Sequence, residues 1–155
     1  MSTLVAYFSA TGTTGRVAHG LAQAIGADAF EIVPDLPYSA ADLDWRDKSS
    51  RSSIEMADES CRPGIVGRVA NMDAYDTIYL GFPIWWYVEP RIVDTFLESY
   101  DLSGKTIVPF ATSGGSGLGR APERMASLAP GAKVVEGRLL NGTPSAEELR
   151  AWAVW

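Results

Sequence analysis

Short, wholly apolar runs alternate along the chain with stretches of helical periodicity. Leu4-Val5-Ala6-Tyr7-Phe8 is a continuous apolar run, the pattern of a strand buried on both faces. After a loop rich in Gly and Thr, Val17, Leu21, Ala24 and Ile25 recur at helical spacing, and Gly26 supplies a stop. Residues 29–33 predict a second strand, ended by Pro34, and residues 77–82 a third buried run. Pro90 suits the first turn of a helix whose apolar stripe is Ile92, Val93, Phe96 and Leu97. Residues 106–111 predict a fourth strand, in which Pro109 removes a ladder donor and so points to a bulge or an edge. Pro122, Met125 and Leu128 suggest a short helix, and residues 133–136 with 138–140 a last, broken strand. Ser145 and Glu148 form a capping box opening a C-terminal helix that carries Leu149 and Trp152. Such alternation predicts an α/β fold: a parallel sheet covered by helices on both faces, in a single domain over 1–155 without internal repeats.

Residues 35–70 break the rhythm, being long, polar and poorly periodic. Ser39 with Asp42 could cap a turn of helix through Trp45, and residues 49–56 could form another. Loops of this length in compact domains are usually functional or partly disordered. The charges Arg46, Asp47, Lys48, Arg51 and Glu55 read as a solvated face.

Composition narrows the function classes. The 155 residues carry a net charge of −6, which argues against a nucleic-acid backbone as partner and would suit a basic protein partner. No apolar run approaches the roughly 20 residues of a membrane span, and the N-terminus lacks the basic region of a signal peptide. Asn141-Gly142-Thr143 matches a glycosylation sequon, which carries no meaning without secretion. The lone Cys61 cannot form an internal disulfide, which fits a cytoplasmic protein, and reads as an inert thiol. The only histidine, His19, falls on the side of the first helix opposite Val17, Leu21 and Ile25 and is expected to face water. Hydrolytic triads that need a histidine are therefore disfavoured. No Cys/His cluster offers a zinc or iron–sulfur site.

The unusual residues gather in three loops that follow strands one, three and four, where open parallel sheets bind ligands. The first, Ser9-Ala10-Thr11-Gly12-Thr13-Thr14, puts hydroxyls and a glycine at a helix N-terminus, where free amides and the helix dipole attract an anion. It lacks both the Lys of a Walker loop and a Gly-x-Gly-x-x-Gly fingerprint, which leaves a neutral cup for one terminal phosphate or a plain Thr-capped helix. The second, Pro83-Ile84-Trp85-Trp86-Tyr87-Val88-Glu89-Pro90, carries three consecutive aromatics that cannot all enter the core of an extended stretch. They would wall a flat ring system or a subunit interface. The third runs from Thr112 through Ser113, Gly114, Gly115, Ser116 and Gly117 to Gly119, and its glycines allow close backbone approach to a ligand or form a flexible linker.

Together, Ser-x-Thr-Gly-Thr-Thr, Gly-Phe-Pro-Ile-Trp-Trp and Phe-Ala-Thr-Ser-Gly-Gly, with Asp44-Trp45 and Ser50-Arg51-Ser52-Ser53, resemble the flavodoxin family. The similarity is to its small FMN-binding branch and runs over essentially the whole chain. The resemblance implies a five-stranded sheet in the order 2-1-3-4-5 and FMN as cofactor. It implies that Ser9, Thr11, Gly12, Thr13 and Thr14 hold the phosphate. Residues 83–87 (Pro83, Ile84, Trp85, Trp86, Tyr87) and 112–117 (among them Thr112, Ser113, Gly114, Gly115, Gly117) would border the isoalloxazine. Trp85 is expected against the flavin, with Trp86 packed under the loop or into a neighbouring subunit.

Two function classes follow. One is an FMN-dependent oxidoreductase taking hydride from NAD(P)H to a quinone-like acceptor; the other is a single-electron carrier between redox proteins. Carriers of this family commonly place a flexible glycine peptide beside flavin N5. Residues 83–87 contain no glycine, and Pro-Ile-Trp-Trp is similar to the loop of flavodoxin-fold quinone reductases, which favours the enzyme.

Overall fold

The computed structural model describes residues 2–112, 117–141 and 144–153. In chain order its elements are β1 (Ser2–Tyr7), α1 (Thr13–Ile25), β2 (Asp28–Glu31), β3 (Val33–Pro34), α2 (Arg51–Ala57) and β4 (Ile65–Val66). They continue with a 3-10 turn (Met72–Ala74), β5 (Tyr75–Pro83), α3 (Arg91–Glu98), β6 (Thr106–Thr112), α4 (Ala121–Leu128), β7 (Lys133–Val134), β8 (Arg138–Leu139) and α5 (Ala146–Trp152). The main sheet runs β2-β1-β5-β6-β7, with β8 also on β6, and every pairing in it is parallel. With the small antiparallel ribbon β3–β4 set aside, this is the expected order 2-1-3-4-5, its last position split between β7 and β8.

Alternate residues of each central strand feed two cores. Leu4, Ala6, Phe8, Ile78, Leu80, Phe82 and Ile107 face α3 and α4, packing on Ile92, Phe96, Leu97 and Met125. Val5, Tyr7, Tyr79, Val108 and Phe110 face the other way onto Val17, Leu21 and Leu149 of α1 and α5. Both faces are covered, so the strands are apolar throughout, as the sequence pattern required.

Pro109 lies inside β6, and its missing donor costs no ladder bond. The Ile107 carbonyl accepts from Val135 and the Ala111 carbonyl from Leu140, at 3.0 and 2.8 Å. Pro109 therefore lies opposite the break between β7 and β8. There Gly137 passes so close to the Pro109 carbonyl that a Cβ would collide with it. This is the bulge that the sequence anticipates.

The second strand is shorter than expected. The Ile32 amide still donates to the Tyr7 carbonyl at 2.7 Å, but Val33 and Pro34 leave the sheet to pair with Ile65 and Val66. Within 35–70, Ser39 and Asp42 exchange the expected reciprocal bonds, yet only turns follow. Ser50 caps α2 by accepting from the Ser53 amide. Tyr38, Ile65, Val69 and Met72 tie the segment to the α3 side of the core. No helix among the described residues is long and apolar enough to cross a membrane.

Gly81 shows how closely the second core is packed. A Cβ there would enter the Phe110 ring. Gly81→Ala should therefore cost about 1–3 kcal/mol by overpacking, measured by urea unfolding. Adding Phe110→Leu should recover part of that loss.

Candidate cofactor site

The first loop is shaped by an inward-turned serine hydroxyl rather than by outward hydroxyls alone. The Phe8 amide donates to the Gly81 carbonyl at 2.9 Å, carrying β1 one residue past its last ladder pair. Ser9 then turns inward, and its Oγ accepts from the amides of Gly12 and Gly15 at 3.1 and 3.0 Å. Gly12 adopts a left-handed φ of 91° to enter α1, whose first residue is Thr13, and the Ser9 hydroxyl stands in for a side-chain cap at the Gly15 amide. Thr11, Gly12 and Thr13 are exposed, with the Thr11 and Thr13 hydroxyls 3.5 Å apart. A Cβ on Gly12 would meet nothing within 4 Å, so there is room in front of the loop.

Thr14 does not serve as the cap that its position in the sequence allows. It is buried, and its Oγ1 lies 2.8 Å from Oγ1 of Thr112 at the end of β6. The Thr112 carbonyl in turn accepts from the Ile84 amide at 2.9 Å. The three loops thus meet at one residue pair. Ser113, Gly114 and Gly115 lie outside the described residues; Gly117 is described and exposed.

The second loop departs from the expected extended stretch. Trp85 and Val88 exchange backbone hydrogen bonds at 3.0 and 3.2 Å, closing a tight turn with Trp86 and Tyr87 at its tip. Both tip residues have positive φ, 50° and 68°. That is the conformation of a type I′ hairpin turn, normally given to Asn-Gly. Bulky residues held there cost of order 1–3 kcal/mol each. Trp85 is half-buried, edge-on to Phe8 and Tyr38 with ring centroids 5.7 and 5.5 Å away. Trp86 and Tyr87 point outward, 44% and 69% exposed. Their flank is a cleft of about 310 Å³ shared with Met56, Arg91, Gly119 and Arg124. Gly119, itself at φ 56°, packs so tightly on the Tyr87 carbonyl that no Cβ fits between them, which joins the third loop to the second.

Beneath this turn lies a cluster of buried charges that sequence reasoning missed. Glu89 and Asp94 are wholly buried, and Arg124 bridges them, with Nε 3.3 Å from Glu89 Oε2 and Nη2 3.1 Å from Asp94 Oδ2. Burial, then a hydrogen bond to Asp94 and its charge, pushes the Glu89 carboxyl up to about 9. Arg91 donates to the carbonyls of Glu55, Met56 and Asp58, satisfying the C-terminus of α2. The available signal was an Arg91–Asp94 pair at i, i+3 spacing, on the face of α3 away from its apolar stripe.

The charges of 35–70 divide. Arg46, Asp47 and Lys48 are exposed, as a solvated face requires, but Glu55 is buried and Arg51 half-buried. Glu55 accepts from the Tyr38 hydroxyl at 2.5 Å and from Arg51 Nε at 2.9 Å, while the Arg51 guanidinium lies 3.8 Å over the Tyr38 ring. Burial and the Glu55 bond push the Tyr38 hydroxyl up. A polar run thereby becomes a wall behind Trp85. His19 is exposed and its Nε2 pairs with the Tyr7 hydroxyl at 2.9 Å. Cys61 is half-buried, and burial followed by the nearby Glu55 and Asp58 pushes its thiol up, away from reactivity.

A family model described as Flavodoxin matches residues 2–154, so the chain belongs to the flavodoxin family. Two crystal structures provisionally named flavoproteins superpose on it with a TM-score of 0.92. The one from Bacteroides uniformis is 52% identical, covering 97% of this chain and 96% of that one. The one from Bacteroides eggerthii is 50% identical, covering 97% and 94%. A Lactobacillus acidophilus flavoprotein in complex with FMN is 21% identical over 99% of both chains, with a TM-score of 0.73, and so shares the fold. No curated protein matches the chain.

Thr14→Val keeps the side-chain shape but leaves the Thr112 hydroxyl alone in the core. It should destabilise the protein by about 1–3 kcal/mol, read by chemical denaturation without cofactor. Thr14→Ser should lose less.

Proposed function

We propose that the three loops bind one FMN and that the protein is an FMN-dependent oxidoreductase, moving reducing equivalents from NAD(P)H to a quinone-like acceptor. The observation that carries the cofactor reading is the first loop: exposed Thr11, Gly12 and Thr13, with open space before them, at the N-terminus of a 13-residue helix. Amide dipoles and hydroxyl donors suit a terminal phosphate there without a cation. Ser9 shapes that loop from inside and Thr14 fixes it to the sheet. Pro83, Ile84, Trp85, Trp86 and Tyr87 would border the isoalloxazine on one side, and Thr112 and Gly117, with Ser113, Gly114 and Gly115, on the other. Of the two indoles, Trp85 is assigned to the ring, since its neighbour Phe8 directly precedes the phosphate loop. FMN held there would supply the redox chemistry; the chain binds it, orients it and limits what approaches.

The enzyme reading rests on the second loop. Its turn is closed at both ends by backbone bonds and tipped with Trp86 and Tyr87 rather than glycine. A peptide so constrained does not reorient cheaply when the bound cofactor changes redox state, which removes the usual device for favouring one-electron transfer. The carrier reading draws on the net charge of −6, which would steer a basic redox partner.

Stopped-flow mixing of the FMN-loaded protein with NADPH or NADH separates them. Rapid bleaching of the flavin band is expected. Its absence, with fast reduction by a redox protein, would favour the carrier. Thr11→Ala should weaken FMN binding by about 1.5–3 kcal/mol, the range for a hydrogen bond to a charged group, without changing the unfolding midpoint of the apo-protein. Isothermal titration calorimetry and denaturation provide the two readouts.

A further inference from the structure

We propose that Glu89 carries a proton that it donates to the Asp94 carboxylate and that this pair, bridged by Arg124, is a positioning device that holds the Trp86–Tyr87 turn in its left-handed form. Each carboxyl gives one oxygen to Arg124, at 3.3 and 3.1 Å. The remaining two, Glu89 Oε1 and Asp94 Oδ1, are buried without a hydrogen-bond partner. The two carboxyl groups are themselves within hydrogen-bonding reach of one another. A proton carried by Glu89 and donated to the Asp94 carboxylate relieves the pair, whereas two buried carboxylates in contact would repel.

The other charges around the pair do not remove the need for that proton. Arg91 Nη1, itself buried without a hydrogen-bond partner, stands 3.6 Å from Asp94 Oδ2, beyond hydrogen-bond length but close enough to favour the Asp94 carboxylate, and the rest of that guanidinium is committed to α2 carbonyls. Arg62 Nη1 is 4.0 Å from the same oxygen, and its Nε is held by Glu98 at 2.6 Å. Glu59 draws on Arg124 at 3.6 Å, and the Cys61 thiol sits beside Arg91 and Arg62. Burial still outweighs these cations at Glu89 and holds its carboxyl well above the usual carboxylate range.

Covalent connection makes the pair a positioning device. Glu89 follows Val88, whose amide and carbonyl close the turn, and precedes Pro90, which caps α3. Relieving a doubly ionised pair means moving Glu89 outward between a fixed φ and a closed turn. Val88 must move with it, and the turn opens. The effect on the flavin rests on the function proposed above; the effect on the turn does not.

The test uses the full chain, with and without FMN, from about pH 6 to about pH 10. In the apo-protein, the near-UV tryptophan circular dichroism of wild type should change in the alkaline part of that range while the far-UV signal stays constant. Glu89→Gln, always neutral and able to donate to Asp94, should keep the neutral-pH spectrum throughout, and Trp86→Phe should remove the transition. With FMN, the wild-type affinity relative to Glu89→Gln should fall several-fold across that range, ionisation of the flavin being common to both proteins. Glu89→Leu, which likewise cannot ionise, serves if Glu89→Gln does not fold. A transition that persists in either folded Glu89 variant would overturn the proposal. Failure to bind FMN at any pH would instead sink the cofactor reading and leave the apo-protein test standing.

Discussion

The buried contact between the Thr14 and Thr112 hydroxyls, 2.8 Å long, reaches from the first turn of α1 to the end of β6 and spans the intervening β5. Loops leaving neighbouring strands of a twisted sheet diverge unless something ties them. Here the tie is a single pair of side chains whose polar atoms have no water to fall back on, which is why either one alone would be costly. The Thr112 carbonyl takes the Ile84 amide as well, so one residue anchors the first and second loops to the third. The exposed Thr11 and Thr13 can face a ligand because Ser9 and Thr14 have turned their hydroxyls inward to hold the frame.

A second layer of polar contacts supports the aromatic turn from below. Arg91 takes up three carbonyls at the C-terminus of α2, where a cation also complements the helix dipole, and Arg124 brings α4 onto the carboxyls of Glu89 and Asp94. Through Tyr38, Glu55 and Arg51 the segment 35–70 joins the same structure, edge-on to Trp85. That segment therefore replaces an ordinary covering helix with a wall for the site. Its polarity in sequence reflects both a solvated stretch around residues 44–49 and the paired Tyr38, Arg51 and Glu55.

Much of the sheet was legible in the sequence, because strands buried on both faces must be apolar throughout, and Leu4 to Phe8 or Ile78 to Phe82 leave no other reading. Pro109 foretold the break opposite it, and Ser145 with Glu148 foretold a helix start, since both depend on local chemistry alone. The loops after β1, β5 and β6 were recognisable as a group from their hydroxyls, aromatics and glycines. What could not be read was geometry imposed from elsewhere. Nothing in Trp86-Tyr87 signals positive φ; the turn is set by Val88 closing on Trp85 and by Gly119 pressing on Tyr87. Thr14 reads equally well as a cap or an inward hydroxyl until β6 supplies Thr112, 98 residues away. Nothing local marks Glu89 and Asp94 as buried acids, because their partner, Arg124, lies 30 or more residues further along.

The central claim is that the exposed amides and hydroxyls of residues 11–13 bind the phosphate of a flavin mononucleotide. Calorimetric titration of the apo-protein with FMN and, separately, with riboflavin tests it most directly, since the two ligands differ only in that phosphate. FMN should bind with micromolar or tighter affinity, and riboflavin more weakly by orders of magnitude. Equal affinity for the two would contradict it, reducing the loop to a structural helix start and leaving the aromatic turn as the only part of the site with a role in binding.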